Sequence, residues 1–294
     1  MRLGTLEAGG TKMVLSVGNE QNELTEQLTI PTETPGVTVP AMLAWFRERK
    51  IEALGIGTFG PVDLNPASPA YGWITSTPKL AWQQAPLLPM LRDGLGVPAK
   101  IDTDVNAAAL AEWKLGAARG LNSCMYVTVG TGVGAGLVVE GRLVHGLLHP
   151  ELGHMLLRPE PGDPAPKGFC PFHEGCIEGL ASGPAMEKRW GRKAYELPPD
   201  HEAWDLEADY LAQMCMNALC AFSPEKIILG GGVMQQKHLF PRIREKTKVL
   251  LNGYIRHPRI LNGMEDLITE PGLGTRSGAL GALLLAREAL EKHG

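Results

Sequence analysis

Leu3-Gly-Thr-Leu-Glu7-Ala-Gly9-Gly10-Thr11-Lys12-Met13-Val-Leu-Ser-Val17 holds two short apolar runs joined by a glycine-rich turn. Runs of this length on either side of a Gly turn read as two antiparallel strands, so the stretch is a β-hairpin and not a strand-to-helix phosphate loop. The pattern recurs in the second half of the chain. Cys124 to Val129 is a β-branched strand, Gly130-Thr131-Gly132-Val133-Gly134 its turn, Ala135 to Glu140 the returning strand, and Gly141 starts a further hairpin turn. Two similar hairpins imply a duplicated domain with a cleft between the copies.

Outward from the hairpins, Pro40 to Lys50 has helical spacing through Met42, Leu43, Trp45 and Phe46. Ala53 to Ile56 is a buried-type strand that runs into Gly57-Thr58-Phe59-Gly60-Pro61, and Lys226 to Leu229 is a strand that runs into Gly230-Gly231-Gly232-Val233. Ser277 to Glu291, rich in Ala and Leu and free of Pro, predicts a helix of about four turns. The implied domains are 1–117 with the C-terminal helix from about 278 to 294, and 118–277 carrying a metal-binding loop.

Composition narrows the function classes. The 294 residues are 44% hydrophobic and 20% charged, with a net charge of −4. Basic residues are scattered, which gives no footprint for nucleic acid or an anionic membrane. No apolar stretch approaches the roughly 20 residues of a membrane span. The five cysteines, an odd and unevenly spaced set, fit a reducing compartment. With no room for a signal peptide before Gly9, the expected location is cytoplasmic.

Three glycine turns have phosphate-binding character. Backbone N–H groups can converge on an anion where Gly residues allow a sharp bend. Gly9-Gly10-Thr11-Lys12 and Gly130-Thr131-Gly132 add Thr hydroxyls, and Gly230-Gly231-Gly232 would admit a base or ribose close to the backbone. Each is also explicable as a plain tight turn. None matches a Walker-type loop.

Asp102-Thr103-Asp104-Val-Asn106 precedes the helix-forming Ala107 to Trp113. A strand end meeting a helix start would hold a carboxylate where a general base can work, although an ordinary N-cap Asp reads the same. Further on, Glu151-Leu-Gly-His154 is followed by Cys170-Pro-Phe-His173-Glu-Gly-Cys176-Ile-Glu178. Cys170, His173 and Cys176 with His154 make the N/S set that Zn²⁺ prefers in a closed, structural site. His145 and His149 are rival fourth ligands.

Taken in order, Glu7-Ala-Gly-Gly-Thr-Lys, Asp104-Val-Asn-Ala-Ala-Ala, Gly130-Thr-Gly-Val-Gly, Glu151-Leu-Gly-His, the Cys/His cluster with Glu178, and Gly230-Gly-Gly-Val resemble the ROK family (repressors, open reading frames, kinases) from Glu7 to about Ala282. Gly57–Asp63, Tyr71–Pro78 and Glu178–Pro184 are most similar to the zinc-containing bacterial fructokinases. The resemblance implies an α/β, duplicated actin-like or hexokinase-like (ribonuclease H-like) ATPase fold, with two domains around a cleft. It implies ATP, Mg²⁺ or Mn²⁺, and a structural Zn²⁺. Asp104 would be the base. Gly60, Pro61, Thr103, Glu151, His154 and Glu178 would line the sugar. Glu7 with Gly9, Gly10, Thr11 and Lys12 would serve the metal–phosphate end. Gly130, Thr131, Gly132 and Gly134 would hold phosphate, and Gly230, Gly231, Gly232 and Val233 the adenosine.

Three residues depart from the family pattern. Glu7 stands where Asp is common, and its extra methylene leaves both a direct and a water-mediated contact with Mg²⁺ open. Thr103 replaces the Asn of many ROK glucokinases, which points away from glucose. His173 replaces a Cys without changing the ligand count. The expected reaction is transfer of the ATP γ-phosphate to fructose at the 6-hydroxyl. The alternatives are a ROK kinase for glucose, mannose or N-acetylmannosamine, and a non-catalytic sugar-sensing binding protein. The six residues before Glu7 leave no place for a helix-turn-helix module, so no nucleic-acid partner is expected. A homodimer is the assembly common in the family.

Overall fold

The computed structural model describes residues 1–292, which form two compact units. The first comprises residues 1–115, 143–150 and 276 to the C-terminus; the second comprises 116–142 and 151–275.

In the first unit, β1 (Leu3–Ala8) pairs antiparallel with β2 (Lys12–Gly18), which pairs with β3 (Leu24–Pro31). After α1 (Pro35–Arg49), β4 (Ala53–Thr58) joins β1 in parallel. Helix α2 (Leu87–Leu95) leads to β5 (Ala99–Thr103), parallel to β4, and α3 (Asp104–Lys114) follows without a break. The sheet order is β3-β2-β1-β4-β5.

The period-2 alternation of the strands sorts this unit into layers. Leu6, Ala8, Leu54 and Ile56 face a core shared with Val39, Met42 and Phe46 of α1 and Leu87, Leu88 and Leu91 of α2. The opposite face carries Gly55 and Gly57. A Cβ on Gly55 would overlap the Ala282 carbonyl oxygen, and one on Gly281 the Ala107 carbonyl oxygen. Glycine and alanine therefore let the C-terminal helix, Ser277–Glu291, lie directly on β4 and α3. That helix is buried nearly all round; Leu283 and Leu285 are fully inaccessible, each worth about 1.5–3 kcal/mol of burial.

The second unit repeats the plan. Strand β6 (Cys124–Val129) pairs antiparallel with β7 (Val133–Val139), and the short β8 (Arg142–Leu143) follows a turn in which Glu140 and Gly141 both have positive φ. Helices α4 (Ile177–Ala181), α5 (Gly183–Trp190) and α6 (Ala203–Ala221) precede β9 (Ile227–Gly230), which joins β6 in parallel. Then come α7 (Leu239–Leu251), α8 (Pro258–Leu261) and β10 (Ile268–Thr269), and the C-terminal helix is α9. The order β10-β9-β6-β7-β8 is that of the first sheet with each strand replaced by its counterpart. The two hairpins are thus copies of one topological unit.

Several local readings differ from the structure. Helix α1 begins at Pro35 rather than Pro40, with Pro35 in its first turn and Pro40 inside it at the loss of one helical hydrogen bond. Beyond Gly18, where the sequence gives no strand reading, β3 alternates between half-buried and exposed residues, as an edge strand does. Residues 143–150 belong to the first unit and not the second. Two histidines hold them there: the Val62 N–H donates to His149 Nε2 at 3.1 Å, and His145 Nε2 lies 2.9 Å from Asp102 Oδ2.

Candidate active site

Because β1, β4 and β5 are parallel, their C-terminal ends share one sheet edge, the edge at which α/β sheets bind ligands. Glu7 pairs in register with Gly57, and Gly57 with Asp102. That register brings Glu7, Gly60-Pro61 and Asp104 to the same edge. The Gly60–Pro61 peptide is cis, and the Pro61 carbonyl accepts from the Thr75 N–H at 2.8 Å.

Asp104 is the first residue of α3. Its Oδ1 accepts from the Val105 N–H at 2.9 Å. Burial pushes its carboxyl up to about 6, against the opposing pull of backbone N–H groups. A Cβ on Gly57 would stand 3.3 Å from the Asp104 Cα, so glycine there seats the start of α3 on β4. Glu7 is raised to about 7, first by burial and then by the Asp104 charge, with Lys12 acting the other way. A hard cation such as Mg²⁺ beside Glu7 would relieve that repulsion.

Thr103, expected at the sugar, is buried; its Oγ1 accepts from the Asn106 N–H at 3.1 Å and caps α3. The cap uses this hydroxyl as an acceptor and leaves its O–H free to donate. Asp102 is buried as well. Its Oδ1 accepts from the Thr103 N–H at 2.8 Å and from Asn106 Nδ2 at 2.7 Å, while Oδ2 meets His145. Sequence reasoning missed this pair, since its partners lie 43 residues apart.

The β1–β2 turn closes with the Gly9 N–H donating to the Lys12 carbonyl at 3.0 Å, and the β6–β7 turn with Gly130 donating to Gly132 at 2.9 Å. Thr11, Lys12 and Thr131 are exposed on these turns. Gly9, Gly10, Gly130, Gly132 and Gly134 do not have positive φ, so the expected sharp-bend reason for glycine does not apply to them. Close approach does for Gly9, Gly10 and Gly132. A Cβ on Gly9 would lie 2.7 Å from the Lys12 carbonyl oxygen, and one on Gly132 would lie 2.5 Å from Glu178 Oε2. Gly231 is the exception, with φ of +93° and Val129 backbone packed against it. Gly230 packs on Tyr126, Gly232 faces open space, and Val233 is buried.

The β6–β7 turn of the second unit is joined to the Cys/His loop. Glu178 of α4, expected at the sugar, accepts from the Val133 N–H through Oε2 at 3.1 Å, which leaves its second oxygen for another partner. The Glu151 carbonyl accepts from the His154 N–H at 3.0 Å in a 3-10 turn. Gly153 seats that turn on β7, for a Cβ there would overlap the Val133 carbonyl oxygen.

Ligand atoms of His154, Cys170, His173 and Cys176 all lie within 4.8 Å of one another. Cys170 Sγ is 3.9 Å from His154 Nδ1 and 3.8 Å from His173 Nδ1, and Cys176 Sγ is 3.9 Å from His154 Nδ1. A zinc tetrahedron with ordinary Zn–S and Zn–N bonds has S···N edges of about 3.6 Å, so the donor set fits the ion. The rivals His145 and His149 are engaged with Asp102 and Val62. Behind the cluster, Asp163 forms a buried pair with Arg189 at 2.9 Å and accepts from Tyr210 Oη at 2.5 Å, clamping the loop on α6. Nothing in the local sequence signals that clamp.

The model of the ROK family matches residues 3–289. This chain belongs to the ROK family. It is 45% identical over 291 residues to the fructokinase of Pediococcus pentosaceus, covering 99% of each chain. Among solved structures, the ROK hexokinase of Thermus thermophilus is 31% identical with a TM-score of 0.78, covering 99% of this chain and 100% of that one. A Streptomyces griseus ROK glucokinase, solved with glucose and AMPPNP, is 24% identical with a TM-score of 0.80, covering 98% of this chain and 100% of that one. The duplicated sheets of this ROK chain are therefore the two-domain, actin-like α/β kinase fold. Among the described residues no helix is long and apolar enough to cross a membrane.

Proposed function

We propose that the protein transfers the γ-phosphoryl group of ATP to a hexose, fructose first, at its 6-hydroxyl. Asp104 carries this reading: a carboxylate at the C-terminal edge of three parallel strands, at a helix N-terminus, held near 6 so that it is ionised yet basic at neutral pH. Asp104 accepts the proton as the sugar oxygen bonds to Pγ. The Pγ–O bond to the β-phosphate breaks, and ADP leaves with the electron pair. The full-length likeness to the Pediococcus fructokinase supports fructose as the acceptor.

Glu7 would hold Mg²⁺ or Mn²⁺, which supplies charge neutralisation on the phosphates. The turns at Gly9–Lys12 and Gly130–Gly134 would meet the phosphates, and Gly230–Val233 the adenosine. Gly60, Pro61, Glu151, His154 and Glu178 would bound the sugar. His154, Cys170, His173 and Cys176 would hold a structural Zn²⁺. Its role is to fix His154: Nδ1 faces the sulfurs, so Nε2 is directed to the far side of the ring.

The test is a panel of fructose, glucose, mannose and N-acetylmannosamine with ATP, read as ADP release. Fructose should show the highest kcat/KM. A different best sugar would replace the acceptor, and no turnover with any of them would overturn the reading.

A further inference from the structure

Gly10 sits in the β1–β2 turn without a positive φ, so its backbone conformation does not require glycine. Space does. A Cβ at this position would stand 2.8 Å from Lys79 Cε and 3.5 Å from Lys79 Nζ. The stem of Lys79 therefore lies across the turn, in the volume that any other residue at position 10 would fill.

The support beneath Lys79 is firm. Thr77 is 1% exposed; its Oγ1 accepts from the Lys79 N–H at 3.3 Å, and its carbonyl from Gln83 Nε2 at 3.0 Å. Trp82 is equally buried, donates its indole N–H to the Glu33 carbonyl at 2.7 Å, and donates its backbone N–H to the Lys79 carbonyl at 2.8 Å. Buried residues on both sides thus fix the backbone that carries a half-buried cation. Among the described residues, no carboxylate forms an ion pair with Lys79 Nζ at 4.0 Å or less. By contrast, the half-buried Lys100 is paired with Glu288 and Lys246 with Asp205 and Asp209. An ammonium held over a backbone turn, with its charge uncommitted, is suited to an anionic ligand at that turn.

We propose that Lys79 is a further catalytic residue, which places its ammonium on the terminal phosphoryl oxygens of the nucleoside triphosphate as Pγ passes from the β-phosphate oxygen to the sugar oxygen. The inference rests on the reading that the Gly9–Lys12 turn meets the phosphates. Gly10 is then the residue that lets the lysine reach its ligand, and Leu80, 77% exposed, marks where the fixed segment turns back to solvent.

The experiment compares Lys79→Met, Lys79→Arg and Asp104→Asn with the wild-type chain. The readouts are turnover, thermal melting, and calorimetric binding of ADP and of a non-hydrolysable ATP analogue. Lys79→Met should lower kcat by about 10²-fold, the scale of removing one charge-stabilising donor. It should leave the melting temperature and the KM for sugar unchanged. Affinity for the ATP analogue should fall while that for ADP holds, and Lys79→Arg should restore part of kcat. Near-wild-type kcat in Lys79→Met, with Asp104→Asn inactive, overturns the proposal and leaves the kinase reading standing. Equal losses for ADP and ATP analogue with a lowered melting temperature overturn it in favour of a structural role. If Asp104→Asn is itself active, Asp104 is not the base, and the kinase reading stands on the turnover itself.

Discussion

The Glu7 carboxylate occupies the volume that a side chain at residue 278 would take. Gly278 is the second residue of α9, and a Cβ on it would overlap Glu7 Oε2. Alternation along β1 turns Glu7 to the α9 face, and the long side chain reaches the first turn of the helix, where the positive end of the helix dipole favours an anion.

Gly278→Ala should therefore act on the metal and not on the fold. Alanine in a helix is intrinsically better than glycine by up to about 1 kcal/mol, so the melting temperature should hold or rise. The Glu7 carboxylate must rotate away, and the Mg²⁺ concentration giving half-maximal rate should rise by about tenfold, a coupling of roughly 1.4 kcal/mol. A Mg²⁺ titration of initial rates checks this. An unchanged Mg²⁺ requirement would separate Glu7 from the metal.

The base should appear in the pH profile. Asp104 must be ionised to accept a proton, and burial raises it to about 6. kcat/KM should climb with pH, reach half its plateau near pH 6, and flatten above about pH 7. Asp104→Asn should lose about 10³-fold in kcat on the plateau above pH 7, remove that limb and still bind nucleotide.

Cys176 has two roles that one substitution separates. Its Sγ accepts from the Gly179 N–H at 3.4 Å as the cap of α4, and it is one of the four clustered donors. Serine is a good N-cap but a poor zinc ligand. Cys176→Ser should keep the helix, reduce bound zinc from about one ion per chain to near zero, and lower the melting temperature. Metal analysis beside a melting curve reads both. Zinc retained at wild-type level would remove Cys176 from the site.

The His145–Asp102 pair should make stability depend on pH. The hydrogen bond to Asp102 raises the His145 pKa; burial and Lys100 act the other way. A raised pKa means the folded state binds the proton more tightly. The contribution is then complete below the unfolded value of about 6.5 and is lost as pH rises through the folded one. His145 is 38% exposed, so its contribution stays within the solvent-screened range of up to about 1 kcal/mol. Denaturant unfolding of His145→Ala should show its largest loss near pH 5.5 and a smaller one near pH 9.

Both hairpins, the strand–helix junction at Asp104, the long α9 and the metal-ligand spacing from Cys170 to Cys176 were legible in the sequence. Each depends on a few adjacent residues: apolar period, turn chemistry, capping, ligand spacing. The tertiary structure decided which histidine joins the cysteines, because His145 and His149 belong to the first unit, where they meet Asp102 and Val62. It also decided why Gly10, Gly55 and Gly278 are glycines, since the atoms that exclude a Cβ belong to Lys79, Ala282 and Glu7. The Asp163–Arg189–Tyr210 clamp has the same origin. Local preference is written in neighbouring residues, whereas the space around a side chain is set by segments far along the chain, and only their packing reveals it.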